Sequence, residues 1–267
     1  MDKVKVFLAD WQVLFREGIH FILSGEEDFE VVGEATNNEE ALDFIEKNLP
    51  EVAILNANRG KPSGVDITRR IKLNMPSIAI ILIVDDYNEE QLFTALKSGA
   101  SACLSKDMEP DELLRVIRRV VQGEYPISQG LLEPEIASRA ISEFEAYTQL
   151  NEEVGNLLAL LLPVEAQIIH YIANGNLLEE ISRDLVISEE AVRKQMDIIL
   201  GKLVANDHSR EVIDVVRSNL TSMISKISRP TGTDIQVGNY VTKKEFDAFK
   251  ESLTERFETS TGEKDQK

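Results

Sequence analysis

Along residues 1–122 short β-branched or apolar runs alternate with stretches in which apolar residues return every three or four positions. That alternation predicts β-α units around a parallel sheet. The apolar runs place strands at Val4–Ala9, Glu30–Glu34, Val52–Leu55, Ile78–Val84 and Ala102–Leu104, and the periodic stretches place helices at Leu14–Leu23, Asn38–Asn48, Gly64–Asn74, Asn88–Ser98 and Glu109–Gln122. End signals agree, since Gly99 falls just past the fourth helix and Pro110 stands in the first turn of the fifth.

Five strands and five helices in this order predict an α/β, flavodoxin-like doubly wound domain over residues 1–125. Such sheets place their functional crevice outside the carboxyl ends of the strands. The positions to inspect are therefore Asp10 and Trp11 after the first strand, Asn56 after the third, Val84 after the fourth and Lys106 after the fifth.

After Gly123 the pattern changes. Residues 126–160 read as a linker with a helix at Pro134–Tyr147, in which Ile136, Ala140, Ile141 and Phe144 recur at helical spacing. Its acidic composition, six acidic side chains against one basic, suggests a solvated connector. Residues 161–220 form an all-α domain: short helices at Val164–Ala173 and Leu178–Leu185, then a third short helix starting at the N-cap Ser188 and carrying Ala191, Val192, Met196, Ile199, Leu200 and Leu203. Helix, short turn, helix is the arrangement in which the second of the pair enters the major groove of DNA. Residues 221–267 form a tail. In it Thr242 and Glu245 make a capping box for an amphipathic helix over 242–258, whose stripe of Phe246, Phe249, Leu253 and Phe257 has to dock on the protein's own body or pair with a second copy. The last residues, STGEKDQK, read as disordered.

Charge narrows the partners. The net charge is −18, and residues 161–217 hold 6 basic against 10 acidic side chains. Counterion release needs Lys and Arg, so any DNA contact has to come from a small cluster on one face. One cysteine, Cys103, excludes an internal disulfide and a cysteine-rich metal site, and His20, His170 and His208 lack ligand spacing. No apolar run is long enough for a membrane span and the N-terminus lacks a signal peptide's h-region, so a cytoplasmic protein without membrane contact is expected.

The runs VKVFLADWQVLFREG, PEVAILNANRGKPSG, IILIVDD and ALKSGASACLSKD resemble the receiver domain of NarL/FixJ-type response regulators. The resemblance implies two acidic residues holding Mg²⁺ after the first strand, a phosphoryl-accepting aspartate after the third, a Ser or Thr after the fourth and a lysine after the fifth. This chain keeps Asp10 and Lys106 but has Trp11, Asn56 and Val84 at the other three positions, and Cys103 where the family's coupling aromatic stands. An amide is no nucleophile, an indole offers a hard cation no oxygen, and valine cannot hydrogen-bond a phosphate. The expectation is a vestigial phosphorylation pocket in which Asp10 and Lys106 form an ion pair and Trp11 fills the former metal cavity. A lesser alternative has Trp11 and its neighbouring loops bind a small ligand or partner. No metal, no cofactor and no catalytic residue are expected, and an enzyme is disfavoured.

Residues 161–213 resemble the LuxR-type DNA-binding domain that follows such receivers. Leu161-Leu162-Pro163-Val164-Glu165 stands for its opening Leu-Thr-x-Arg-Glu, and Ala191-Val192-Arg193-Lys194-Gln195 for Thr-Val-Lys-x-His. The resemblance implies DNA contacts from Arg193 and Lys194, polar contacts from Ser188 and Gln195, and a backbone contact from Lys202. The function expected is an atypical response regulator, a homodimeric transcription regulator that binds double-stranded DNA without aspartyl phosphorylation. The alternative is a docking protein that contacts a protein partner and whose helix-turn-helix has lost DNA. A conventional phospho-acceptor using another carboxylate is a third, disfavoured reading.

Overall fold

The computed structural model describes residues 3–58, 60–154 and 157–227. Five strands, β1 (Val4–Ala9), β2 (Phe29–Ala35), β3 (Val52–Asn56), β4 (Ala79–Val84) and β5 (Ala102–Ser105), lie parallel in the order β2-β1-β3-β4-β5. β3 and β4 are buried along their whole length, which is why they read as unbroken apolar runs rather than alternating ones. One sheet face carries α1 (Val13–Ser24) and α5 (Pro110–Val121), and the other carries α2 (Asn38–Asn48), α3 (Gly64–Asn74) and α4 (Glu89–Ser98). Side chains end these helices where the sequence suggests. Asn37 and Asn88 cap α2 and α4, Ser63 and Asp66 close a capping box on α3, and Gly99 takes the left-handed φ of 85° that ends α4.

The segment after α5 departs from the expected solvated connector. A 3-10 helix at Pro126–Leu132 leads into α6, which runs Pro134–Val154 and so continues seven residues beyond Tyr147. Ile136, Ala137, Ala140, Phe144 and Tyr147 are buried, and the helix packs on α4 on one side and on α7 (Pro163–Ala173) on the other. Of its acidic residues Glu135 and Glu145 are exposed, while Glu143 is half-buried against Lys97 of α4. One apolar cluster therefore runs from the sheet through α4 and α6 into α7, α8 (Leu178–Leu185) and α9 (Glu189–Ile227).

α9 corrects a second expectation, because it is one helix of 39 residues and not a short one. The polar residues Asn206 and Asp207 are accommodated within the helix, and their side chains find partners outside it. Asn206 accepts from the Ala159 amide and donates to the Ala159 carbonyl, both at 2.7 Å, and Asp207 Oδ2 accepts from Arg69 Nε at 2.7 Å. Among the described residues those up to Arg217 form one compact unit. The tail helix expected over 242–258, with Phe246, Phe249, Leu253 and Phe257, lies outside the described residues.

Candidate functional site: the strand-end pocket and the helix-turn-helix

β1 and β3 are adjacent and in register, Ala9 facing Leu55, so the residues that follow them stand side by side. Gly64, at the start of α3, holds this corner close: a Cβ there would meet the Asn56 carbonyl oxygen at 2.1 Å. Asp10 and Asn56 are both buried, and Asn56 Nδ2 donates to Asp10 Oδ2 at 2.9 Å. Asp10 Oδ1 accepts from the Gln12 amide at 2.7 Å. Lys106 Nζ lies 3.1 Å from Asp10 Oδ2, 2.8 Å from Asp85 Oδ1 and 3.0 Å from Gln12 Oε1. Gln12 and Asp10 accept hydrogen bonds from the ammonium and Asp85 pairs with it as an ion, so its charge is already matched by two carboxylates. Val84 is buried in the core of the sheet.

Trp11 does not fill the pocket. It is 41% exposed and stands at the rim of a cavity of about 280 Å³ whose lining includes Asp10, Asn38, Asn56 and Gly60. The chain from β1 to α1 is pinned from below, where Arg16 Nη1 donates to the Asp10 carbonyl at 2.8 Å and Arg16 Nε to Glu34 Oε2 at 2.8 Å. Burial pulls the Glu34 carboxyl upward, but hydrogen bonds from His20 and Arg16 outweigh it and hold the group below its ordinary value. The lysine ammonium sits 5.5 Å from the Trp11 ring centroid and 5.1 Å from that of Phe15. The Mg²⁺ ion that a receiver implies does not fit these donors: Asp10 is the single carboxylate between β1 and β3, and it is already shared between an amide and an ammonium. Among the described residues no group of three or more His, Cys, Asp or Glu is placed to hold a metal.

Asp85 and Gln12 belong to this site although the strand-end positions do not point to them. The Asp85-Asp86 pair directly follows the fourth strand, where the crevice rule looks for function, one position beyond Val84, on which the hydroxyl position falls. On β5, Cys103 is half-buried, and burial pushes its thiol up to about 12.

In the helix-turn-helix, Val186 adopts a left-handed φ of 56°, strained for a β-branched residue, to make the turn between α8 and α9. Ser188 Oγ accepts from the Ala191 amide at 3.1 Å and starts α9. Val192, Met196, Ile199, Leu200 and Leu203 are buried as their spacing suggests, Arg193 and Lys194 are exposed and Gln195 is half-buried. Arg193 and Asp197 border a cleft of about 330 Å³ whose other wall includes Arg119, Glu124 and Tyr125 from the end of the receiver. Lys202 is engaged inside the domain. Its Nζ donates to Glu165 Oε2 at 2.5 Å and to the Leu160 carbonyl at 3.0 Å, and Glu165 is 1% exposed. It is placed to brace α9 on α7 rather than to reach a phosphate.

The parallel five-stranded sheet, its strand-end pocket and the following helix-turn-helix define a two-part signalling protein of receiver and output. A response regulator receiver domain matches residues 6–118. The chain is 30% identical over 227 residues to the uncharacterized transcriptional regulatory protein YhcZ of Bacillus subtilis (strain 168), covering 84% of this chain and 100% of that protein. It is 29% identical over 202 residues to the nitrate/nitrite response regulator protein NarL of Escherichia coli (strain K12), covering 76% of this chain and 90% of that one. Among solved structures, a LuxR-family two-component response regulator from Aurantimonas sp. SI85-9A1 is similar at 23% identity and a TM-score of 0.45, over 48% of this chain and 95% of that one. The chain belongs to the NarL/LuxR-type response regulators. No helix of the described residues is long and apolar enough to cross a membrane.

Proposed function

We propose that this chain is a transcription regulator that reads double-stranded DNA through the start of α9 and whose receiver is not switched by aspartyl phosphorylation. The observation that carries the second part is the Asn56 amide, which donates to Asp10 at the position where the family's acceptor carboxylate stands. A phosphoryl group arriving there would find no carboxylate nucleophile, and a lysine already paired with two carboxylates. Exposed Arg193 and Lys194 support the DNA reading, with Ser188 and Gln195 as polar contacts. The transcriptional-regulatory relatives favour it over the docking alternative. We assign the receiver to 1–125, the connecting segment to 126–160 and the reader to 161–220, acting as a homodimer on an inverted repeat.

The test is selection of bound genomic fragments by the untreated protein, then fluorescence anisotropy on the best fragment across a salt series. Binding is expected to be tight, steeply salt-dependent and lost in the Arg193→Ala/Lys194→Ala variant. A small phosphodonor should change neither the protein's mass nor its affinity. Enrichment of no fragment would sink the DNA reading, and an acid-labile phosphoryl adduct would sink the other half.

A further inference from the structure

A cleft of about 470 Å³ opens where α3, α4, α6 and α9 meet. Four cations from four helices line it, Arg69, Lys97, Arg139 and Arg210, in a chain whose net charge is −18. Two of them are spent on carboxylates. Arg69 Nε lies 2.7 Å from Asp207 Oδ2 and 3.3 Å from Glu211 Oε1, and Lys97 Nζ lies 2.8 Å from Glu143 Oε1 and 3.4 Å from Asp207 Oδ1.

The other two are held less tightly. Arg210 Nη1 makes an ion pair with Glu143 Oε2 at 3.7 Å, too long for a hydrogen bond. Arg139 has no carboxylate within 4 Å among the described residues and lies over the Phe93 ring at 4.9 Å, a contact that consumes none of its five N–H donors. Arg139 on α6 and Arg210 on α9 thus border one concavity with their hydrogen-bonding forks unfilled. Beside them Thr94, Ser138 and Ser142 donate their hydroxyls to carbonyls of their own helices, at 2.7, 2.8 and 3.2 Å, which leaves oxygen lone pairs to accept from hydroxyls of a ligand.

We propose that this cleft binds a phosphorylated small molecule carrying sugar hydroxyls, of about nucleotide size, with its phosphate held by Arg139 and Arg210. Guanidiniums match phosphate oxygens in geometry as well as charge, and the volume falls within the ~300–1,000 Å³ of ordinary ligand sites. Because Arg139 stands on α6 and Arg210 on α9, a bound anion would cross-link these two helices. The site lies away from the strand-end pocket and does not depend on DNA reading.

Isothermal titration of the full chain with ADP, ribose 5-phosphate and inorganic phosphate, without divalent metal, tests it. ADP and ribose 5-phosphate should bind, and Arg139→Ala/Arg210→Ala should weaken both by about tenfold or more. Ala146→Glu, on an exposed wall position, should do the same, with circular dichroism unchanged. The Arg193→Ala/Lys194→Ala variant should bind ADP as the wild type does, so that loss of DNA reading and loss of this site remain distinguishable. No heat from any probe, affinity unaltered in both cleft variants, or binding of inorganic phosphate alone would each overturn the proposal.

Discussion

Asn56 donates its side-chain amide to the Asp10 carboxylate across 2.9 Å of a buried corner, so the two ends of β1 and β3 are joined by a neutral-to-charged hydrogen bond. Each strand end supplies what the other lacks: a donor on β3 and an acceptor on β1. The bond also leaves Lys106 as the cation for Asp10 and Asp85 together, with no third carboxylate to share it among the described residues.

Replacing Asn56 by Asp reverses that complementarity. Two carboxylates would face each other at the old hydrogen-bonding distance, and the variant should lose about 1–3 kcal/mol at neutral pH. One carboxyl of such a pair has its pKa raised above the unfolded value, so its contribution to stability is present at low pH and lost as pH rises. Urea unfolding at pH 5 and pH 7.5 should show the gap to wild type widening with pH. A gap independent of pH would mean that the carboxylates have moved apart.

Lys202 and Lys194 sit eight positions apart on α9 and should behave differently. Lys202→Ala strands the buried Glu165 without its cation and should cost roughly 3 kcal/mol in denaturant unfolding. Lys194→Ala should leave stability nearly unchanged and lower the slope of log affinity against log salt by about 1. A reduced salt slope in the folded Lys202 variant would return that lysine to the DNA face.

Lys72 sets an alkaline signature. Its ammonium donates to the Ile78 carbonyl at 2.6 Å, and burial lowers its pKa to about 8. The unfolded chain keeps that proton to about pH 10.4. Between these values the unfolded state binds more protons, so this residue makes the fold more stable as pH rises, by at most about 1.4 kcal/mol per unit; below pH 8 both states hold the proton and the slope vanishes. Unfolding of wild type and Lys72→Met compared at pH 7 and pH 9.5 should show the rise in wild type alone. Parallel pH profiles would contradict it.

Much of the receiver is legible from the chain because its sheet is buried on both faces and its helices are capped by their own neighbours. α2 and α3 begin and end where hydrophobic period and capping residues place them. Two features were hidden for the same reason, that partners remote in sequence decide them. The stripe of Ile136, Ala140 and Phe144 marks α6 as amphipathic, but its acidic composition points to water, and only the fold brings α4 and α7 against it. The apolar spacing carries the third helix only to Leu203, and beyond it the polar Asn206 and Asp207 stay in the helix with their side chains taken up by Ala159 and Arg69. At the strand-end site, Asp10, Asn56 and Lys106 follow from the crevice rule. The part played by Asp85 and Gln12 depends on which way Lys106 turns, and that is decided across about a hundred residues of chain.

The burial of α6 also bears on modularity. A connector that is itself core has no slack to pay out, so receiver and reader inside Met1–Arg217 should melt as one calorimetric event rather than as two. A chain cut after Gln122 would leave the α4 face and the inner face of α7 without the helix that covers both. Grafting either half onto another protein would therefore have to carry α6 along, and exchange of output modules, easy where domains hang on a loose tether, meets here a shared keystone.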